Sequence, residues 1–229
     1  MTRHRHFTRT FFTFFEELAA NNNREWFKAN KGRFQEQVQA PLLQFIADFR
    51  EPLADISRHF IADPRPSGGS MFRIYRDIRF SKDKSPYKTH AAAQFRHEVG
   101  RDVHAPGFYI HLEPRMVFVG AGLWRPERAV LEQVRSAIVD HPKKWRNAVG
   151  HPDFAGRFTL GGDSLKRPPR GYDADHPLIE DLKRKDFVCT EGFSMTAACR
   201  AGFIDEVAAS FAAASPLMRF LCQASELRF

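Results

Sequence analysis

Apolar side chains recur every third or fourth residue toward both ends of this chain and every second residue through its middle. Near the start, Phe7, Phe11, Phe14, Phe15 and Leu18 fall on one stripe, which predicts a short amphipathic helix over about Thr8–Ala20. Asn21-Asn22-Asn23 ends it. Asn22 with Glu25 three residues on is spaced as a cap for a second helix, whose stripe runs Phe27, Phe34, Val38, Leu42, Phe45, Ile46 and Phe49. Pro41 lies inside that stripe and must kink it or begin a new segment, because it has no N–H to donate. Trp26 beside Phe27 reads as core rather than as a stacking platform. The first 60 residues therefore read as a helical hairpin with Phe-rich inner faces.

The period then changes. After a Pro- and Gly-rich loop at Asp63–Ser70, the stretch Met71–Phe80 alternates: Phe72, Ile74, Ile78 and Phe80 inward, Arg73, Tyr75, Asp77 and Arg79 outward. Arg76 points the way the hydrophobes point, so it needs a carboxylate partner or a bulge. Ser81–Lys88 reads as a cationic turn, His90–Glu98 as a strand of weaker alternation and Gly100–Pro106 as loop. Gly107–Glu113 is a clear strand with Phe108, Ile110 and Leu112 inward and Tyr109, His111 and Glu113 outward; Pro114-Arg115 joins it to Met116–Ala121 as a hairpin. Helical spacing returns from Pro126 (Val130, Val134, Ile138, Val139), again over Pro142–Val149, from Asp175 through Leu182, and over Phe203–Phe211 until Pro216 interrupts it. Phe187–Thr190 is one more short strand. These elements make a single α+β domain over 1–229: a helical hairpin (1–60), an antiparallel sheet of about four strands (71–122) and a mainly helical remainder (126–229), with helices from both chain ends covering the sheet.

Composition narrows the class of partner. Lys and Arg number 35 against 27 acids, a net charge of +8, which favours anionic partners. Three widely spaced cysteines form neither a disulfide framework nor a zinc motif. No segment approaches the length of a membrane span. The basic start followed by phenylalanines is too short for a targeting signal and runs straight into Glu16-Glu17. The expected location is the cytoplasm, with no membrane partner.

The chemistry concentrates in the middle. If Met71–Phe80, His90–Glu98 and Gly107–Glu113 are neighbours, their outer faces gather arginines, Tyr109, His111 and Glu113, and guanidinium forks match phosphate and carboxylate oxygens two at a time. Equally, Asp77 and Glu113 can consume those arginines in a surface ion-pair network. Ser81–Thr89 has the residue types of a phosphate-gripping loop, or is a solvated turn shaped by Asp83 and Pro86. His90, His97, His104 and His111 are evenly spaced, and on strands only His90 and His111 share the polar face, with Glu113 or Asp77 beside them. Two histidines and a carboxylate suit a metal, but no H-E-x-x-H or H-x-H supports one, and no metal is assigned. There is no Walker loop, no G-x-S-x-G, and Gly120-Ala121-Gly122 is too short for a dinucleotide fingerprint. The cofactor is left open.

The pattern R-x-x-R-D-x-R-F then D-K-x-x-Y (Arg73, Arg76, Asp77, Arg79, Phe80, Asp83, Lys84, Tyr87) resembles the signature of an uncharacterised bacterial family, domain of unknown function 2461. The likeness extends through Asn21–Lys31, Gly107–Pro114, Gly120–Glu127 and Leu165–Tyr172, nearly the whole chain, and implies no activity. The residues themselves point to binding, and potentially turnover, of a phosphate- or carboxylate-bearing small molecule. Arg73, Arg76 and Arg79 are its clamps, Lys84 and Lys88 stand beside them and Tyr87 is a donor. His111, Asp77 and Tyr87 are the candidates for proton transfer. The alternatives are a nucleic-acid binder with an open basic face, where an enzyme would show a closed pocket, or a structural or partner-binding protein whose arginines are all ion-paired.

Overall fold

In a computed structural model, which describes residues 4–99 and 105–229, the Phe-rich start forms the helix its spacing demands. Helix α1 (Arg9–Ala20) buries Phe11, Phe12, Phe14, Phe15 and Leu18. The cap of α2 (Arg24–Ala29) is Asn23, one residue later than the spacing suggested: its Oδ1 accepts from the Trp26 N–H at 2.9 Å. The second stripe breaks into α3 (Lys31–Phe34), a π-helical turn at Gln35–Gln39, α4 (Ala40–Asp48) and α5 (Arg50–Ile56). Pro41 cannot donate to the carbonyl four residues back, and the wider turn just before it absorbs that break. The expected hairpin is thus a run of short helices. Most of the Gly100–Pro106 loop, with His104, lies outside the described residues.

The sheet has six strands, two more than expected: β1 (Phe60–Ile61), β2 (Ala91–His97), β3 (Gly107–Glu113), β4 (Met116–Leu123), β5 (Leu160–Gly161) and β6 (Phe187–Phe193). All neighbours are antiparallel, in the order β1-β2-β3-β4-β6-β5. The register aligns Ala93, Ile110 and Val119 in one row and Phe95, Phe108 and Ala121 in the next, all of them buried. Helices from both ends close over that face. Phe49, in the joint between α4 and α5, packs 5.0 Å from Phe95, and Phe211 of α11 (Phe203–Ala213) lies 4.6 Å from Phe108. Between them run α6 (Arg128–Asp140), α7 (Pro142–Val149), α8 (Pro152–Ala155), α9 (Ile179–Leu182) and α10 (Met195–Ala198); the break falls at Ala214, and α12 (Ser215–Ala224) holds Pro216 in its first turn. Gly122 sits at φ +130, where a Cβ would stand 2.0 Å from the Phe187 carbonyl oxygen, so only glycine lets β4 and β6 approach. No helix among the described residues is long and apolar enough to cross a membrane. Burial pushes the Cys189 and Cys222 thiols up to about 12, away from nucleophilic use.

Met71–Phe80 is not the strand its alternation suggested. Only Met71, opposite Ala93, and Tyr75, opposite Tyr87, make bridges. At the sheet edge the phase is reversed: Met71 is buried, whereas Phe72 is on the other face, its ring 6.1 Å from that of Tyr109. The reason is that β2 begins at Ala91, so the chain beyond Phe72 has no strand left to follow. It pairs instead with its own return, through Arg76 N–H to Pro86 O (3.0 Å) and Lys88 N–H to Ile74 O (2.8 Å). Ile74 is buried as expected, but Phe80, at the tip of this excursion, is 95% exposed.

Candidate functional site

Period-two geometry on β3 sets Tyr109, His111 and Glu113 in a row on the face away from the helices. Tyr109 Oη lies 3.0 Å from His111 Nδ1, and His111 Nε2 lies 3.2 Å from Glu113 Oε2. Just before β2, Thr89 donates its hydroxyl to Glu113 Oε1 at 3.2 Å, and His90 brings its ring to 4.3 Å from that of His111. Phe118 of β4 stacks on His111 from the other side at 4.8 Å. The ring of His111 is therefore buried although it stands on the solvent-side face.

This packing decides the charges. Burial holds His111 below its ordinary value, with the Glu113 carboxylate opposing. Burial, with His111 next to it, takes His90 down to about 4. Tyr109 is pushed up to about 12 by burial and then by the charge of Glu113. A neutral His111 matches its partners when the Tyr109 hydroxyl donates to Nδ1 and Nε2–H donates to the carboxylate.

The looped-out segment borders this cluster. Lys88 Nζ donates to the Arg73 carbonyl at 2.9 Å and stands 5.3 Å from the centre of the Phe72 ring. Its pKa is lowered by burial and then by the Arg73 charge. Among the described residues no carboxylate forms an ion pair with Arg73 or Lys88. Arg76, Arg79 and Lys84 are engaged within the loop, whereas Lys82 is exposed. Arg79 grips Asp77 through Nε (3.0 Å) and Nη2 (2.7 Å), holding that carboxyl down at about 2. Arg76 pairs with Asp83, which also accepts from Ser85, and Lys84 Nζ donates to the Ile78 carbonyl at 3.0 Å.

Of the residues chosen from sequence, Lys88 and His111 come together with His90 and Glu113, and Lys88 ties the Arg73 backbone to their border. Arg76, Arg79, Asp77 and Lys84 lie toward the tip, each with a partner. Arg76 does have the carboxylate that its position required, but within the loop rather than in the core. Tyr87 is 5% exposed, stacked 4.1 Å from Phe27, which removes its ring from the site. Asn22 had been assigned only to a helix cap. Its amide accepts from the Tyr87 N–H (3.1 Å) and donates to the Tyr87 carbonyl (3.0 Å), pinning the return limb of the loop to the helical layer. Three consecutive asparagines where one cap suffices were the available signal. Phe72 and Phe118, which flank the cluster, gave none. Concavities beside Arg50 and Arg65, and between α6 and α12, contain none of these residues.

A family model described as a conserved hypothetical protein (DUF2461) matches residues 10–220. No curated protein and no solved structure matches the chain.

Proposed function

The chain belongs to the DUF2461 family of conserved hypothetical proteins, and from that premise we propose that it binds a phosphate- or carboxylate-bearing small molecule on the solvent-side face of the sheet. One observation carries the reading: Lys88, half-buried, lies against the Arg73 backbone and within reach of the Arg73 charge, and neither side chain is ion-paired to a carboxylate among the described residues, Asp77 being gripped by Arg79. Two like charges held together, one of them partly removed from water, raise the free energy of the empty site and favour an anion that neutralises them. Arg73 brings a planar fork of donors and Lys88 a point charge. The Phe72 ring lies beside Lys88 and the Tyr109 ring beside Phe72, apolar surface against which the body of a small ligand can rest. Neutralised Arg76 and Arg79 are outside the proposed contact set.

Thermal melts against a panel of phosphorylated and carboxylated small molecules test this. At least one compound is expected to raise the wild-type midpoint, the effect to fall in Arg73→Lys and Lys88→Gln, and Arg79→Lys to respond as wild type does. A panel that moves nothing, or an effect lost in Arg79→Lys but kept in Arg73→Lys, overturns the reading. Binding confined to oligonucleotides, falling steeply with salt, assigns the protein to nucleic-acid recognition instead.

A further inference from the structure

We propose that His90, His111 and Glu113 form a binding site for one divalent first-row transition-metal ion. Each of these residues offers a ligand atom, and the three atoms lie within 4.8 Å of one another. Around a tetrahedral ion with bonds of about 2.1 Å, neighbouring ligand atoms are ~3.4 Å apart. His111 Nε2 and Glu113 Oε2 already stand at 3.2 Å. His90, which is part-buried, has at most the difference between 4.8 Å and about 3.4 Å to close.

The surroundings are those that a ligand set requires. Metal-binding imidazoles donate their other ring N–H to a fixed acceptor, and ligating carboxylates are themselves hydrogen-bonded. Both conditions are met. With an ion on Nε2, His111 carries its proton on Nδ1 and donates it to the Tyr109 oxygen, which is already at 3.0 Å. Thr89 holds Glu113 Oε1 and leaves Oε2 turned toward the histidines. Phe118, stacked on His111, fixes the plane of the ring.

Donor type selects the ion. Two nitrogens and one oxygen are a poor set for calcium or magnesium, which take oxygen ligands, and a good one for zinc, cobalt, manganese or ferrous iron. Three protein ligands leave at least one coordination position for water or an exogenous ligand, the pattern of a reactive rather than a purely structural site. The proposal is independent of the anion reading, since these three ligands hold an ion whether or not Arg73 and Lys88 bind anything.

The test uses untagged full-length protein, stripped with a chelator, dialysed, and titrated with Zn²⁺ and with Co²⁺ against a chromophoric competitor. One equivalent of Zn²⁺ per chain is expected, and Co²⁺ should give the visible d–d absorption of a low-coordinate nitrogen and oxygen site. His90→Ala and Glu113→Gln should each weaken binding at least tenfold, and Thr89→Val, which removes only a supporting hydrogen bond, about tenfold. His4→Ala should change nothing, although His4 and His6 form another close pair, at 4.9 Å. Melts of the metal-free variants verify that they fold, and the wild-type cobalt spectrum needs no variant. Absence of a stoichiometric site in wild type, or one equivalent retained at unchanged affinity in both His90→Ala and Glu113→Gln, overturns the proposal.

Discussion

Replacing Asn22 by alanine should loosen the loop that carries Lys88 without disturbing the sheet. Asn22 makes two hydrogen bonds to the backbone of Tyr87, at 3.0 and 3.1 Å. No other group among the described residues bonds to that N–H or that carbonyl, so Asn22→Ala leaves a donor and an acceptor in a part-buried position. Each such bond contributes about 0.5–1.5 kcal/mol net, so the pair is worth about 1–3 kcal/mol. For a chain of this size each kcal/mol moves the thermal midpoint by about 2–4 °C, which puts the middle of the range at a drop of roughly 4–8 °C. The loss should also be local. Hydrogen–deuterium exchange should accelerate over residues 73–88, where Ile74 and Arg76 bond to the return limb that carries Tyr87, and stay unchanged in α11. A variant that melts within 1 °C of wild type, with exchange in 73–88 unaltered, would show that the stacking of Tyr87 on Phe27 holds the loop by itself.

Three further perturbations discriminate between parts of the structure. Arg76→Ala should lower the midpoint by less than about 2 °C in a thermal melt, because its partner Asp83 is well exposed and surface ion pairs contribute little; a larger fall would place that arginine in the core. Gly122→Ala should cost at least about 3 kcal/mol in urea denaturation, since the new Cβ meets the Phe187 carbonyl and the backbone sits at positive φ. His6 is buried against Asp48, and burial holds its pKa below 6.5. Its neutral form is favoured by folding, so its contribution is complete above pH 6.5 and is lost as pH falls toward the lower folded value. His6→Gln, which keeps a donor for Asp48, should flatten the fall in midpoint between pH 7 and 5, and an unchanged slope would assign that fall to other groups.

The central strand was the most legible element because it has neighbours on both sides and one solvent-side face: Phe108, Ile110 and Leu112 are fully buried, while Tyr109 and Glu113 are not. Beside it, Ala91-Ala92-Ala93 gives little contrast between faces, and β1 and β5, at two residues each, are too short to have a period. Met71–Phe80 shows the limit in the other direction. Alternation reports which side chains turn away from water, not whether a partner strand exists, so Ile74 was read correctly and Phe80 was not. The histidine spacing led to His90 and His111 because glycine and proline between them exclude a helix. Glu113 then follows as the residue two positions on along the same strand, with Asp77 removed to the loop tip. Which arginines stay unneutralised was not visible. It depends on local turns that return Asp77 to Arg79 and Asp83 to Arg76, and a count of charges carries no such information.

The pairing of β4 with β6 has a consequence for the order of assembly. The hairpins that build the candidate site, β2 with β3 and β3 with β4, close between residues near in sequence, whereas Leu123 meets Phe187 only after α6, α7, α8, β5 and α9 have been traversed. Closing long excursions is entropically slow, and local contacts form first. The meander then belongs to the nucleus, and β6 docks late. Substitutions at Phe108 or Val119 should chiefly slow refolding, while those at Val188 or Cys189 should chiefly hasten unfolding, a contrast that the two arms of a chevron separate.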